Sequence, residues 1–245
     1  MTDPIEQFQE EKKKRIETNS ANTELLNATR LFNIASNKAQ YSYNFSWMGR
    51  PIIQYPQDII AMQEIIWDIK PDLIIETGIA HGGSLIYYAS ILELIGKGEV
   101  LGIDIDIRNH NRVEIEKHPM FKRISFIEGS SVDKDTVKKV KDFTTGKETV
   151  LVVLDSNHTY EHVLQELRFY SPLVSLSSYI VVFDTIVEEL PEGYFKENRP
   201  WGLGNNPHTA VVKFLMQNDQ FVVDKAIDNK LLVSVAPGGY LKRIR

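Results

Sequence analysis

Acidic residues close successive apolar runs in this chain, and the first of them leads into a cluster of glycines. The stretch Leu73-Ile-Ile-Glu76-Thr-Gly78-Ile-Ala80-His81-Gly82-Gly83-Ser84 passes from a buried-type run through an acid and a glycine turn into an apolar helix. Val100-Leu-Gly-Ile-Asp104-Ile105 ends on a second acid, Ile124-Ser-Phe-Ile-Glu128 runs into Gly129-Ser130-Ser131, and Asp155 and Asp184 stand at the ends of two further runs. Open α/β sheets bind ligands beyond the carboxyl ends of their strands, so these tips are where a nucleotide-like molecule would be cradled.

Each residue type suits a different part of one ligand. Gly78 and Gly82 allow close backbone approach and a tight entry into the helix near Ser84. The amides and positive helix end there favour a carboxylate, such as the methionine part of S-adenosylmethionine (SAM). Glu76 could accept from the ligand's ammonium, directly or through water. Asp104 is placed to accept both ribose hydroxyls, and Gly129, Ser130 and Ser131 would lie beside the adenine. Ala80, Ile105 and Asp155 complete the expected cofactor contacts. A carboxylate at 104 disfavours a 2′-phosphate. The spacing is not Gly-x-Gly-x-x-Gly, which argues against a dinucleotide dehydrogenase, and no Gly-Lys-Ser/Thr phosphate loop follows.

The reacting groups are expected at Asp155 and Asp184. On adjacent strands their ends would lie about 4.8 Å apart, close enough to share a cation. An oxygen-only pair suits Mg²⁺, which takes one or two carboxylates plus water and substrate oxygens and would lower the pKa of an acceptor hydroxyl. The same two acids could instead cap helices or brace loops. His158, just beyond Asp155, is the expected general base and an acceptor contact; a helix-start hydrogen bond or metal ligation is open to it as well. His158 and His162 share the i, i+4 spacing of some zinc sites, but no Glu follows the first histidine as a zinc protease requires. His162 is expected to pack or cap, and His81 to shape the glycine loop. The long connection from Thr185 to Asn206 carries Arg199, Trp201 and Asn205, a ring beside a cation and amides that suits a sugar; a loop anchored by a buried tryptophan fits equally.

The elements that must position these residues alternate. Strands are predicted at 72–76, 99–104, 124–128, 150–155 and 179–184, with helices at 84–95, 131–141, 159–170 and 207–217. This pattern implies a parallel sheet covered on both faces. Two further apolar runs, from Gln220 and from Leu231, flank Asp228-Asn229-Lys230 and predict a terminal antiparallel hairpin. Ile59, Met62, Ile66 and Ile69 mark one face of a helix that ends before Pro71, and the turn-rich Trp47–Pro56 segment could fold over the sheet edge as a lid. The fold expected is a doubly wound, mostly parallel, seven-stranded Rossmann-like α/β sheet of the class I SAM methyltransferase type. Residues 1–46 form a polar helical arm with Glu10-Glu11 before Lys12–Arg15, and 47–245 the catalytic domain.

Composition sets outer limits. The 245 residues carry a formal charge of −5, 42% hydrophobic residues and no cysteine. A net negative chain is a poor non-specific nucleic-acid binder, and no thiolate chemistry or disulfide is available. No apolar run approaches the roughly 20 residues of a membrane span. The N-terminal residues lack a signal-peptide pattern, so a cytoplasmic protein is expected.

Glu76–Ser84, Asp155-Ser-Asn-His158-Thr-Tyr-Glu-His162 and Val182-Phe183-Asp184-Thr-Ile resemble the cephalosporin hydroxylase / rhamnosyl O-methyltransferase family, as do Gln54-Tyr-Pro-Gln-Asp58 and Asn205-Asn-Pro-His-Thr-Ala210. The resemblance runs from about Trp47 to the C-terminus. It implies SAM binding at Gly78, Ser84, Asp104 and Ser131, methyl transfer to a hydroxyl of a sugar or related metabolite, and a homo-oligomer. One departure stands out: metal-dependent relatives place an acid where this chain has Phe183. A SAM-binding accessory subunit without chemistry, or a hydroxylase-type member, are the alternatives.

Overall fold

A computed structural model describes residues 3–195 and 199–245. The chain opens with two helices, α1 (Pro4–Ser20) and α2 (Thr23–Lys38), and a short hairpin, β1 (Phe45–Trp47) and β2 (Arg50–Ile52). Then come α3 (Pro56–Ile69), β3 (Leu73–Thr77), α4 (Gly83–Ile95), β4 (Glu99–Asp104), α5 (Asn109–Glu116), β5 (Ile124–Glu128), α6 (Lys134–Phe143), β6 (Val150–Leu154), α7 (Tyr160–Tyr170) and β7 (Tyr179–Val182). The last elements are α8 (Pro207–Gln217), β8 (Phe221–Val223), α9 (Lys225–Leu231) and β9 (Tyr240–Arg243).

Seven strands form one sheet in the order β5-β4-β3-β6-β7-β9-β8. The first five are parallel, and β9 runs antiparallel to both β7 and β8. From β3 the chain winds to β4 on one side and later returns to β6 on the other, so the topological switch lies between β3 and β6, where such sheets open a ligand crevice. Successive side chains alternate faces. Ile74, Val100, Leu151, Val153 and Val181 pack with α3 and α4, while Leu73, Ile75, Leu101, Val152 and Val182 pack against α6, α7 and α8. Because both faces are covered, β3 and β6 are buried along their whole length.

The antiparallel end of the sheet is built differently from the sequence expectation. Asp228-Asn229-Lys230 is not a hairpin turn but part of α9, which Asp224 caps by accepting from the Ala226 N–H at 3.1 Å. The run at 231–235 is not a strand, and the partner of β8 is β9 at 240–243. Capping and a good helix-forming stretch outweigh the β-propensity of the run, and the Asp228 carboxylate ties the connection to the Gly238 N–H. α6 starts at 134 rather than 131 because Asp133 is its N-cap, accepting from the N–H groups of Asp135 and Thr136. α5, after Asp104, was not foreseen. The polar arm contains two helices; Arg15 pairs with Glu11 at 3.5 Å, and Lys12 reaches Glu64 of α3 at 3.9 Å. The Trp47–Pro56 segment forms the β1–β2 hairpin, whose Trp47 Nε1 donates to Ser90 Oγ of α4 at 3.0 Å. Among the described residues no helix is long and apolar enough to cross a membrane.

Candidate active site

The glycine turn after β3 owes its residues to close neighbours as much as to open space. Gly78 has φ +89°, and a Cβ there would overlap the carbonyl of Asp155, so the loops after β3 and β6 are in direct contact. Gly82, at φ +78°, makes room for Ile115 of α5. Ala80 sits exposed at the apex with φ +46°, an unusual conformation for a side-chain-bearing residue. Two side chains hold this apex. Arg50 donates to the His81 carbonyl from Nε at 3.0 Å and Nη2 at 2.6 Å, and Asn111 donates to the Ala80 carbonyl at 2.8 Å. Arg50 also donates to Asn111 Oδ1 at 3.0 Å, which joins the two into one clamp. Neither residue was legible beforehand as a site residue. Arg50 does lie in the turn-rich segment, but its partner lies on a separate element. Beyond the turn α4 begins with no side-chain cap, which leaves its first-turn amides open to an anion.

Glu76 is fully buried beneath this helix start. Ser84 Oγ donates to its Oε2 at 2.7 Å, while Oε1 has no partner among the described residues. Burial pushes the Glu76 carboxyl up to about 8; Ser84 and Tyr88 oppose the rise and the charge of Asp104 adds to it. Asp104 ends β4 at the same rim. It accepts from the Ile79 N–H at 2.8 Å and from the Asp106 N–H at 3.1 Å, which leaves further lone pairs on both oxygens. Ile105 beside it is 72% exposed. Gly129, whose N–H donates to the Asp104 carbonyl at 2.8 Å, and Ser130 lead to the buried Ser131. Ser131 Oγ lies 3.0 Å from His162 Nε2, which is also 3.2 Å from Ser156 Oγ; Ser156 in turn donates to the fully buried Glu166 at 2.7 Å. His162 therefore belongs to a polar network behind Ser131.

Asp155, His158 and Asp184 meet beside the Gly78 turn, each offering one donor atom within 4.8 Å of the others. His158 Nε2 lies 3.0 Å from Asp184 Oδ2. Asn157 shapes the turn that presents the histidine, accepting from the Thr159 N–H at 2.9 Å and hydroxyl at 2.7 Å. The Asp155 carboxylate accepts no hydrogen bond among the described residues. Burial first, then the negative Asp184, Glu76 and Glu166, raises it well above the usual carboxylate range. Burial acts the same way on Asp184, but His158 and Arg199 outweigh it and hold that carboxyl below its ordinary value. Asp184 itself adopts φ +57° as the chain leaves β7. Phe183 is 2% exposed and turns into the core with Ile52, Gln54 and Tyr88, so it adds nothing to the cluster.

The expected acceptor residues divide. The Trp201 ring stands edge-on to His158 at 4.9 Å, and the Arg199 guanidinium lies over Trp201 at 4.9 Å. Asn205 is spent on structure, accepting from the Tyr160 N–H at 3.0 Å and donating to the Pro200 carbonyl at 2.7 Å. Glu188 braces the same segment by accepting from the Gly204 N–H at 2.9 Å and from the Asn206 amide. Residues 196–198 of the Thr185–Asn206 connection lie outside the described residues. A groove of about 560 Å³ between α2 and residues 188–192 contains none of the predicted site residues.

The family model for rhamnosyl O-methyltransferase/CmcI matches residues 39–244. The rhamnosyl O-methyltransferase of Mycobacterium tuberculosis (strain ATCC 25618 / H37Rv) is 31% identical over 209 residues, covering 81% of this chain and 78% of that protein. That of Mycobacterium leprae (strain TN) is 30% identical over 144 residues, covering 57% and 60%. Among solved structures, the apo form of CmcI-N160 superposes with a TM-score of 0.59 at 18% identity, covering 83% of this chain and 77% of that one. An O-methyltransferase from Bacillus cereus in complex with SAH gives 0.52 at 14% identity, covering 91% and 92%. With the switch-point crevice, the acid-and-glycine rim and these matches together, the chain belongs to the rhamnosyl O-methyltransferase/CmcI family and has the class I SAM-dependent methyltransferase fold.

Proposed function

We propose that the chain transfers a methyl group from SAM to a hydroxyl of a sugar or related small metabolite. The observation that carries this reading is the direct contact between the Gly78 turn and the Asp155 turn, which puts a cofactor crevice and a carboxylate–histidine cluster side by side. The residues fit the cofactor: a buried carboxylate oxygen on Glu76 awaits a donor, and the uncapped α4 start awaits an anion. Glu76 would take the ammonium, the first-turn amides at Gly83 and Ser84 the carboxylate, Asp104 the ribose, and Ile105 and Ser131 the adenine. Bound SAM supplies a methyl group already activated as a sulfonium.

The residues also fit a divalent cation at Asp155 and Asp184, and a neighbour of the same fold was solved as CmcI-D160 with Mg and SAM. Such a cation, held by these residues, would lower the pKa of the acceptor hydroxyl. In the cation-free protein His158, held by Asp184, is the base for that proton. Trp201 and Arg199 form a wall on which a sugar's C–H face can stack, and the rhamnosyl name of the curated relatives supports a sugar acceptor. A cytoplasmic homo-oligomer is the setting this reading favours. Exposed apolar side chains on the N-terminal helices, among them Ile5, Phe8 and Leu31, support self-association, and the net charge of −5 argues against a nucleic-acid partner.

The test is incubation with SAM and rhamnosyl acceptors, scored by mass for the added methyl group. Turnover that is lost in Asp155→Ala while calorimetric SAM binding persists is the expected result. SAM binding with no turnover on any hydroxyl acceptor would leave a binding-only protein.

A further inference from the structure

We infer that His158 supplies the third protein ligand of the cation site, replacing the acid that Phe183 does not provide. Asp155, His158 and Asp184 thereby form a mixed nitrogen–oxygen set that prefers a late first-row divalent ion over Mg²⁺. This rests on the methyltransferase reading for its setting but not for its test.

Three observations carry it. First, Phe183 packs into the core, so an all-carboxylate triad cannot be assembled from this strand end. Second, an octahedral ion with bonds of about 2.1 Å holds neighbouring ligand atoms about 3.0 Å apart. His158 Nε2 and Asp184 Oδ2 are already 3.0 Å apart, and one Asp155 oxygen completes a group within 4.8 Å. Third, the Asp155 carboxylate has no hydrogen-bond donor among the described residues, in a rim it shares with Asp184 and Glu76, an arrangement that a cation would relieve. The imidazole is built into place rather than free: the Asn157 turn sets its backbone and the edge-on Trp201 ring restricts its rotation.

The donor set decides the metal. Mg²⁺ is bound through oxygen and keeps most of its water, whereas imidazole suits Fe²⁺, Co²⁺, Ni²⁺ and Zn²⁺. With such an ion bound, His158 is a ligand and no longer a base.

The experiment titrates the full-length protein with Co²⁺ and with Mg²⁺ by calorimetry. Nitrogen coupling to bound Mn²⁺ is read in parallel by pulsed electron paramagnetic resonance. Co²⁺ is expected to bind at least about tenfold more tightly than Mg²⁺, with a nitrogen coupling that disappears in His158→Gln. His158→Asp, which restores three carboxylates, should bring the two affinities to within a few-fold of each other; matching melting temperatures certify that both variants are folded. Equal Co²⁺ and Mg²⁺ affinity in the unaltered protein, or a nitrogen coupling that survives His158→Gln, would overturn the assignment. SAM binding, measured on metal-free protein, tests the parent reading separately.

Discussion

Replacing Glu76 by Gln should change how the stability of this protein depends on pH. The Glu76 carboxyl rises from an ordinary 4.5 to about 8 because folding buries it completely. Between those two values the folded chain holds a proton that the unfolded chain has released, so stability falls as pH increases, by about 1.4 kcal/mol per pH unit. Across the whole window this amounts to about 5 kcal/mol, complete above pH 8. Glutamine keeps an oxygen for Ser84 and removes the titration, although its own amide brings a fixed offset. The informative quantity is therefore the slope of the stability difference with pH, not its value at one pH. Buried acids that do not feel the charge of Glu76 titrate alike in both proteins and cancel in the difference; among them is Asp58, pushed up to about 6 chiefly by burial. Urea unfolding of both proteins at intervals from pH 5 to 9 supplies the measurement. The variant should gain steadily on the parent as pH rises. A difference that stays flat across the range would show that the buried Glu76 is already ionised, and the account of an ammonium-ready acid would fail. The same logic predicts that SAM binding near pH 7 expels close to one proton, visible as a dependence of the calorimetric heat on the buffer's ionisation enthalpy.

Three further perturbations probe the supports of the site. Arg50→Ala removes the clamp on the His81 carbonyl and on Asn111, and at about 1.5–3 kcal/mol for a charged hydrogen bond should raise the KM for SAM roughly tenfold or more; an unchanged KM would make the clamp dispensable. Asp58→Ala strands the hydroxyls of Ser234 and Tyr240 and the Val235 N–H inside the protein. It should cost about 3 kcal/mol or more in chemical denaturation, since each buried donor left without an acceptor costs about 1–3 kcal/mol. Gly78→Ala drives a methyl group into the Asp155 carbonyl at a backbone angle that only glycine adopts readily. SAM binding by calorimetry should vanish even where circular dichroism still reports a folded chain.

The apolar runs that end in Glu76, Asp104, Asp155 and Asp184 determined the succession of strands along the chain, the parallel sheet and the rim on which the candidate site residues lie. Strand-end position is a local property: a buried run has a length, and the first polar residue that closes it lies at or next to the carboxyl end of the strand, on the crevice side. The glycine turn together with Glu76, Asp104 and Ser131 at successive strand ends was enough to point to an adenosyl-type ligand. Tertiary structure decided everything that depends on which loops touch. Only the folded chain shows that Gly82 yields space to Ile115, that Arg50 and Asn111 grip the glycine apex, and that Asn205 is engaged in bracing its own loop. It also turned the expected hairpin at 228–230 into a capped helix, with the pairing strand farther along at 240–243. Most consequentially, the distance from His158 to Asp184 is set by the junction of β6 with β7 and by the Asn157 turn. The sequence leaves metal ligation open to His158, but which acids it would share an ion with stays invisible until two separate strand ends are brought together.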